Sequence, residues 1–208
     1  VMILAMFVLA SMDAISKYLV AIYEVPQILW IRSLVFVVFA VAVARPRHLG
    51  GALKSARPAM QIGRSLILVC ETAIFIVAFR YLPLADVHAV AALAPLIATA
   101  LAIPLLGEHV GARRWTAVAM GFIGVLIIIR PGFGVFHWTA LLPLVAAFFW
   151  GLYQVLVRLV SEHDGAATTT LYTALVAALA WSGVSLYQGH WQAPDAAGWG
   201  FLLLLGLM

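Results

Sequence analysis

Apolar residues fill the chain in long runs, each of a length that carries an α-helix across a bilayer. A hydrocarbon core about 30 Å thick needs about 20 apolar residues in a helix. Seven such runs follow one another and an eighth begins, so the pattern predicts an all-α, polytopic transmembrane helical bundle. The predicted helices span residues 1–22, 27–44, 62–82, 85–106, 112–129, 138–160 and 167–187, with the eighth starting near residue 198.

The segments between the runs are short and hold turn-forming residues such as Pro26, Pro83 and Gly189. None of them is long enough to be a linker between two soluble domains. The chain begins and ends inside apolar runs, so we expect it to be part of a longer protein.

The composition supports a membrane protein. Hydrophobic residues make up 65% of the chain and charged residues 10%, whereas soluble domains average about 45–50% and about 25%. The net charge of +4 does not predict a nucleic-acid partner, because most basic residues flank alternate loops, as they do on the cytoplasmic side of membrane proteins. These residues are Arg45, Arg47, Lys54, Arg57, Arg64, Arg113, Arg114 and Arg158. The pattern predicts a cytoplasmic N-terminus.

Four charged residues lie well inside the first three predicted spans, where charges are costly and mark solute or ion pathways. Asp13 and Lys17 share one face of the first helix, and Arg32 lies at a similar depth on the second. Glu71 lies near the middle of the third helix. These residues predict an aqueous pathway for a polar or anionic solute, and a protonatable Asp13 or Glu71 would couple transport to protons.

Structural explanations compete with the pathway interpretation. Asp13 and Lys17 would neutralise each other if they form a pair that fixes helix packing. Arg32 would not face the pathway if its long side chain extends to the outer interface. The sequence leaves both alternatives open.

Further candidates for the pathway are a histidine and a proline of the fourth helix and three residues of the sixth. His88 lies one turn into the fourth helix, where it would suit a proton relay. Pro95 interrupts the hydrogen bonding of the same helix, and such breaks in membrane helices face protein or a water-filled cavity. On the sixth helix, Trp150 and Tyr153 would stack on an aromatic ligand and Gln154 would hydrogen-bond to it, although aromatic residues also serve packing.

Sequence motifs of enzymes and of cofactor sites are absent. There is no phosphate-binding loop and no His-Glu-x-x-His motif, and the six histidines lack metal-ligand spacing. We therefore expect no cofactor, no metal and no catalytic residues. The alternatives to a transporter are a membrane-embedded enzyme acting on lipids or isoprenoids, a channel, and a structural membrane subunit.

The order of the helices suggests an internal repeat. A shift of 141 positions pairs Lys17 with Arg158 and places the sixth and seventh helices on the first and second. A unit of five helices is odd, so its second copy would be inverted in the membrane. We predict a first repeat at 1–132 and the start of a truncated second repeat at 133–208.

Three motifs resemble the drug/metabolite transporter superfamily of the EamA type. They are Arg80-Tyr81-Leu82-Pro83-Leu84-Ala85-Asp86, then Ala94-Pro95-Leu96, then Leu106-Gly107-Glu108. The run from Gly121 to Gly132 extends the similarity, and the start of the third helix at Arg64 resembles the branch with riboflavin and S-adenosylmethionine uptake proteins.

The resemblance implies two inverted repeats of five helices, of which this chain would hold about seven and a half helices. It also implies a central cavity lined by the first, third and fourth helices of each half. Gly107 and Glu108 match a signature to which we assign a structural role. The expected partners are the bilayer and a small metabolite, with protons as a coupling ion. The oligomeric state, monomer or homodimer, stays open.

Overall fold

The computed structural model describes residues 2–44, 49–107, 111–129, 138–189 and 191–207. Within these ranges every regular element is helical, which confirms the all-α class. The α-helices are α1 (Met2–Val20), α2 (Val25–Ala44), α3 (Leu49–Ala52), α4 (Pro58–Tyr81), α5 (Leu84–Ala91), α6 (Ala94–Leu106), α7 (Ala112–Ile129), α8 (Leu141–Ser161), α9 (Ala166–Gln188) and α10 (Ala196–Leu207). A short 3-10 helix at Trp138–Ala140 precedes α8.

Six segments of the described chain are long and apolar enough to cross a membrane. They are Met2–Val20, Val25–Ala42, Pro58–Tyr81, Leu84–Leu106, Leu141–Ser161 and Ala166–Gln188. The predicted fifth helix is the 18-residue α7, and the predicted eighth helix is represented by the shorter apolar α10. The chain is therefore a multi-pass membrane bundle.

The predicted fourth helix, 85–106, is not continuous, which corrects the sequence analysis. It is divided into α5 and α6 by a turn at Ala92 and Leu93. Pro95 has no N–H to donate to the carbonyl of Ala91, and its ring would clash with that oxygen. The chain tightens instead, and the Leu93 N–H donates to the Val90 carbonyl at 3.0 Å.

Two pairs of long helices form the centre of the bundle. Helix α2 packs along α9, and α4 packs along α8, which also contacts α6. The largest buried cluster includes Leu19 of α1, Ile28 of α2, Phe79 of α4 and Leu202 of α10. Large apolar side chains on the outer surface, such as Leu186 at 83% exposure, lie where lipid would cover a membrane-spanning bundle.

Gly151 allows α8 to approach the backbone of α6. A Cβ atom at this position would lie 3.0 Å from both the Ala94 carbonyl oxygen and the Ala98 amide nitrogen. We expect Gly151→Ala to force the two helices apart and to destabilise the fold by about 1–3 kcal/mol, as overpacking does. The melting temperature of the purified protein measures this effect.

Gly63 is the matched control, because it also lies within a helix but has no atom within 4 Å of an added Cβ. Gly63→Ala should leave the melting temperature unchanged or raise it slightly, since alanine favours helix. Equal melting temperatures for the two variants would contradict the close approach of α8 and α6.

The loops meet in two groups, one at each end of the bundle. At the end that we call the basic-loop end, segment 53–57 contacts the α8–α9 turn, 162–165. At the opposite end, the α1–α2 turn contacts segment 191–195, where the Tyr23 hydroxyl donates to Asp195 Oδ1 at 3.4 Å. Near it, the Gln27 side chain donates to the Gln192 carbonyl at 2.7 Å.

Candidate functional site

A cavity of about 930 Å³ lies between the helices. It is bounded by parts of α1, α2, α4, α5, α6, α8, α9 and α10. Six of the residues singled out from the sequence line this cavity. They are Asp13, Arg32, Glu71, His88, Trp150 and Tyr153.

An ion pair joins α1 to α5 in the wall of the cavity. Asp13 Oδ2 lies 3.2 Å from His88 Nε2, which bears a charge only when the imidazole is protonated. Arg32 of α2 interacts electrostatically with both Asp13 and Glu71, and its Nη2 lies 3.6 Å from the sulfur of Met12. Two carboxyl groups, a guanidinium group and an imidazole therefore share one polar region in a largely apolar cavity.

Glu71 is buried in the wall, with 8% of its surface exposed. Its Oε2 accepts a hydrogen bond from the hydroxyl of the adjacent Thr72 at 3.1 Å. Neither of the two ion pairs found in the described part of the chain includes Glu71. The carboxyl group lines the cavity, with Thr72 as its hydrogen-bond donor and Arg32 as an electrostatic partner, so a proton or a polar group that enters the cavity can reach it.

Aromatic rings form two further parts of the wall. Trp150 and Tyr153 of α8 stack with their ring centroids 5.3 Å apart and their planes at 20°. Phe75 and Phe79 of α4 lie beside His88, with centroids 5.6 and 6.1 Å from its imidazole. Such surfaces suit a planar ring, because stacking adds to the free energy of burying it.

Lys17 does not pair with Asp13, although the two share a helix face. Its ammonium group donates to the main-chain carbonyls of Phe79 at 2.5 Å and Leu82 at 2.7 Å. The Phe79 carbonyl would normally accept from residue 83, but Pro83 has no N–H. Lys17 replaces that donor at the C-terminus of α4, where a positive charge is favoured. Lys17 therefore ties α1 to α4 and does not line the cavity.

Other predicted residues also lie away from the cavity wall. Pro95 is exposed at the start of α6, while Ala91 and Ala94 beside it line the cavity. Gln154 is half-buried on α8 and is not among the lining residues. Gly107 ends α6 with a φ of 70°, a conformation that favours glycine. Glu108 lies outside the described residues.

Arg64 was not among the residues predicted to form the pathway, yet the structure buries it completely behind the cavity wall. Gln61 and Arg64 lie three residues apart in an apolar helix, so they share one face. That spacing was the feature of the sequence that could have indicated a buried polar contact at Arg64. Tyr153, Thr169 and Thr173, to which Arg64 donates, come from α8 and α9, and no local pattern relates them to α4.

Asp164 joins the α8–α9 turn to the N-terminus of α4. Its carboxylate accepts from the Ser55 hydroxyl, from the Ala56 amide at 2.9 Å and from Gln61 Nε2 at 2.9 Å. The hydrogen bonds from Ser55, Gln61 and Ala56 lower the pKa of Asp164 below its ordinary 3.8. An anion at this place also faces the positive end of the helix.

The lowered pKa of Asp164 predicts an acid-dependent stability. A carboxyl group with a depressed folded-state pKa stabilises the fold above its unfolded-state pKa, and this contribution is lost as pH falls through the folded value. We expect Asp164→Asn to lower the melting temperature at pH 7 and to flatten its decline below pH 4. Melting curves between pH 7 and pH 3 measure both effects. Glu162→Gln, at an exposed position in the same turn, should match the wild type; identical curves for Asp164→Asn would contradict the contact.

The described residues include no group of three or more His, Cys, Asp or Glu that could hold a metal ion. The residues that line the cavity instead present charged groups, hydrogen-bonding groups and aromatic surfaces.

Comparison with known proteins identifies relatives among transporters. The model of the EamA-like transporter family matches residues 1–130 and 137–208. The chain is 37% identical to a riboflavin transporter of Vibrio cholerae over 115 residues, which is 55% of this chain and 38% of that protein. It is 24% identical to an S-adenosylmethionine uptake transporter of Rickettsia prowazekii over 198 residues, 93% of this chain and 65% of that protein.

A pseudopaline exporter of Pseudomonas aeruginosa is 23% identical over 208 residues, 99% of this chain and 72% of that protein. The matched regions cover 38%, 34% and 56% of three riboflavin transporters, from Vibrio cholerae, Rhizobium johnstonii and Brucella anthropi. No solved structure matches the chain.

Proposed function

The chain belongs to the EamA-like transporter family, and from this premise we propose that the protein is a secondary transporter that moves a small metabolite across the membrane by alternating access. The observation that carries the proposal is the cavity of about 930 Å³, in which charged groups face aromatic rings. Ionisable groups at membrane depth are costly and mark solute pathways.

We propose that the substrate combines an aromatic ring with a polar or charged part. Relatives of this chain are named riboflavin transporter and S-adenosylmethionine uptake transporter, and both of these solutes have this character. In the cavity, Trp150 and Tyr153 would stack on the ring. Asp13, Arg32 and Glu71 would bind the polar part.

We propose that protons drive transport and that Glu71 carries the coupled proton. A carboxyl group in a cavity wall, outside any ion pair of the described residues, can exchange its charge for a proton as the substrate enters. Asp13 is less suited to this role because it is paired with His88.

The proposed inverted repeat, 1–132 and 133 onward, is supported by the contacts at the two ends. The α1–α2 turn holds the start of α10 through Tyr23 and Asp195, and the α8–α9 turn holds the start of α4 through Asp164 and Ser55. The shift of 141 positions that pairs the first and sixth helices also pairs Tyr23 with Asp164. Equivalent contacts at opposite ends are expected of two units inverted in the membrane.

We further propose a location in the bacterial plasma membrane, with the N-terminus and the basic-loop end in the cytoplasm. The riboflavin and S-adenosylmethionine transporters named above come from bacteria. Lys54, Arg57 and Arg158 lie at the basic-loop end, and positive residues are retained on the cytoplasmic side. A homodimer is compatible with this arrangement, and cross-linking in membranes would detect it.

Uptake into vesicles that contain the full-length protein tests the proposed function. We expect saturable uptake of labelled riboflavin or S-adenosylmethionine, collapsed by a protonophore. Vesicles without the protein are the control. Failure of folded protein to move either solute, or any member of a wider metabolite panel, in either direction would favour the membrane-enzyme or structural alternatives.

A further inference from the structure

Arg64 is fully buried, and all three of its guanidinium nitrogens have partners. Its Nε and Nη2 donate to Gln61 Oε1 at 3.2 and 2.8 Å. Nη2 also donates to the Thr169 carbonyl at 2.9 Å and to the Thr173 hydroxyl at 3.0 Å. Nη1 donates to the Tyr153 hydroxyl at 3.2 Å, and the guanidinium carbon lies 5.4 Å from the centroid of that ring.

All of these direct acceptors are neutral. Among the described residues, the positive charge of Arg64 is connected to a negative charge only indirectly, through Gln61 to Asp164. Gln61 accepts from Arg64 through its carbonyl oxygen and donates through its amide nitrogen to Asp164. An amide that bridges a cation and an anion in this way has one favourable orientation. Hydrogen bonds in such a chain polarise one another, and a buried charge is costly once a member is lost.

The other side of Arg64 supports the cavity wall. Tyr153, Thr169 and Thr173 line the cavity, whereas Arg64 and Gln61 do not. The ring of Tyr153 is therefore held by Arg64 from behind and by stacking on Trp150 at its side. The series of hydrogen bonds from Asp164 through Gln61 and Arg64 to Tyr153 links the basic-loop end to the aromatic part of the wall.

We propose that Arg64 is a positioning residue, which holds the Tyr153 ring and hydroxyl in the geometry that binds the ligand. This inference rests on the proposed function, that the cavity holds a metabolite with an aromatic ring. Arg64 does not touch the ligand. It acts through Tyr153, and Asp164 acts through Gln61 and Arg64.

The geometry of this contact requires arginine. The planar guanidinium group reaches acceptors on α4, α8 and α9 at once and also faces an aromatic ring. A lysine has the same charge, but it is a compact group that cannot present several donors in a fixed plane. Arg64→Lys therefore preserves the charge and removes the positioning.

The test is equilibrium binding of labelled riboflavin and labelled S-adenosylmethionine to the purified full-length protein. For a probe that the wild type binds, we expect Arg64→Lys and Tyr153→Phe each to raise the Kd about tenfold, as the loss of a hydrogen bond to a charged group does. The double variant should be no worse than either single variant, because the two residues act as one unit. The matched control is Arg158→Lys, an exposed arginine in the last turn of α8, which should leave the Kd unchanged.

If Arg64→Lys does not fold, a second pair of variants tests the same series of hydrogen bonds from Asp164 to Tyr153. Asp164→Asn should raise the Kd about threefold through the weakened polarisation of Gln61 and Arg64. It should have no effect when Tyr153 is already phenylalanine.

The outcomes separate the inference from the proposed function. Effects that multiply in the double variants, or an unchanged Kd in a folded Arg64→Lys protein with a lowered melting temperature, would overturn the positioning role while leaving the ligand class intact. A folded wild-type protein that binds neither probe would overturn the proposed ligand class, and the positioning role with it.

Discussion

Glu71→Gln should reduce accumulation of the substrate against a gradient to the level of vesicles without the protein. Glutamine resembles the protonated carboxyl group in shape and in hydrogen bonding, but it cannot release a proton. Because Glu71 lies in the cavity wall outside the ion pairs of the described residues, we assign the coupled proton to it. Exchange of labelled for unlabelled substrate does not require proton release, so it should persist. The measurement is a comparison of accumulation with exchange in the same vesicles.

Glu162→Gln is the matched control for this substitution, because Glu162 lies exposed in the α8–α9 turn. It should preserve both activities. Retained accumulation in Glu71→Gln would remove Glu71 from the coupling step. A parallel loss of exchange would instead indicate that the carboxylate binds the substrate.

Asp13→Asn should abolish both accumulation and exchange. Asp13 is the partner of His88 across α1 and α5 and an electrostatic partner of Arg32. Without the charge of Asp13, Arg32 loses a negative partner, and the proposed site loses one of the charged groups that would bind the polar part of the substrate. Asparagine can still hydrogen-bond to His88, so membrane insertion and folding should be unaffected.

Asp86→Asn is the appropriate control, because Asp86 lies exposed on α5 two residues before His88. It should transport like the wild type. Wild-type uptake by both Asp13→Asn and Glu71→Gln would refute the argument that the charged residues of α1 and α4 form the pathway.

Asp13 and Lys17 show which features of a membrane helix its periodicity predicts and which it does not. Their spacing placed both residues on one face of α1, and both side chains do leave α1 toward its neighbours. The periodicity could not identify those neighbours. Asp13 reaches His88 on α5, while Lys17 meets the carbonyl that Pro83 leaves without a donor. Pro83 is visible in the sequence, but its proximity to Lys17 is a property of the packed bundle.

For Pro95 and Arg64, too, the sequence predicts a local property and the packing of the bundle decides the contacts. The proline predicted a local defect, and the structure places the break at Ala92 and Leu93. Which residues of the broken helix face the cavity depended on the packing of α6 against α8, where Gly151 allows close approach. In the sequence, Arg64 is one of several positive residues in or beside loops. Its acceptors on α8 and α9 lie about 90 to 110 positions away in sequence, so no local window contains them.

The sequence alone determined the class of the protein, the bounds of most of its long helices within a few residues, and which polar groups would be costly in a membrane. Those properties follow from hydropathy, helix length and the identity of single residues, which act locally. The tertiary structure decided the pairings: Asp13 with His88, Lys17 with the end of α4, and Arg64 with Tyr153. A charged side chain within the bilayer must find a partner, but several partners satisfy the same chemistry. Only the packing of distant helices selects among them.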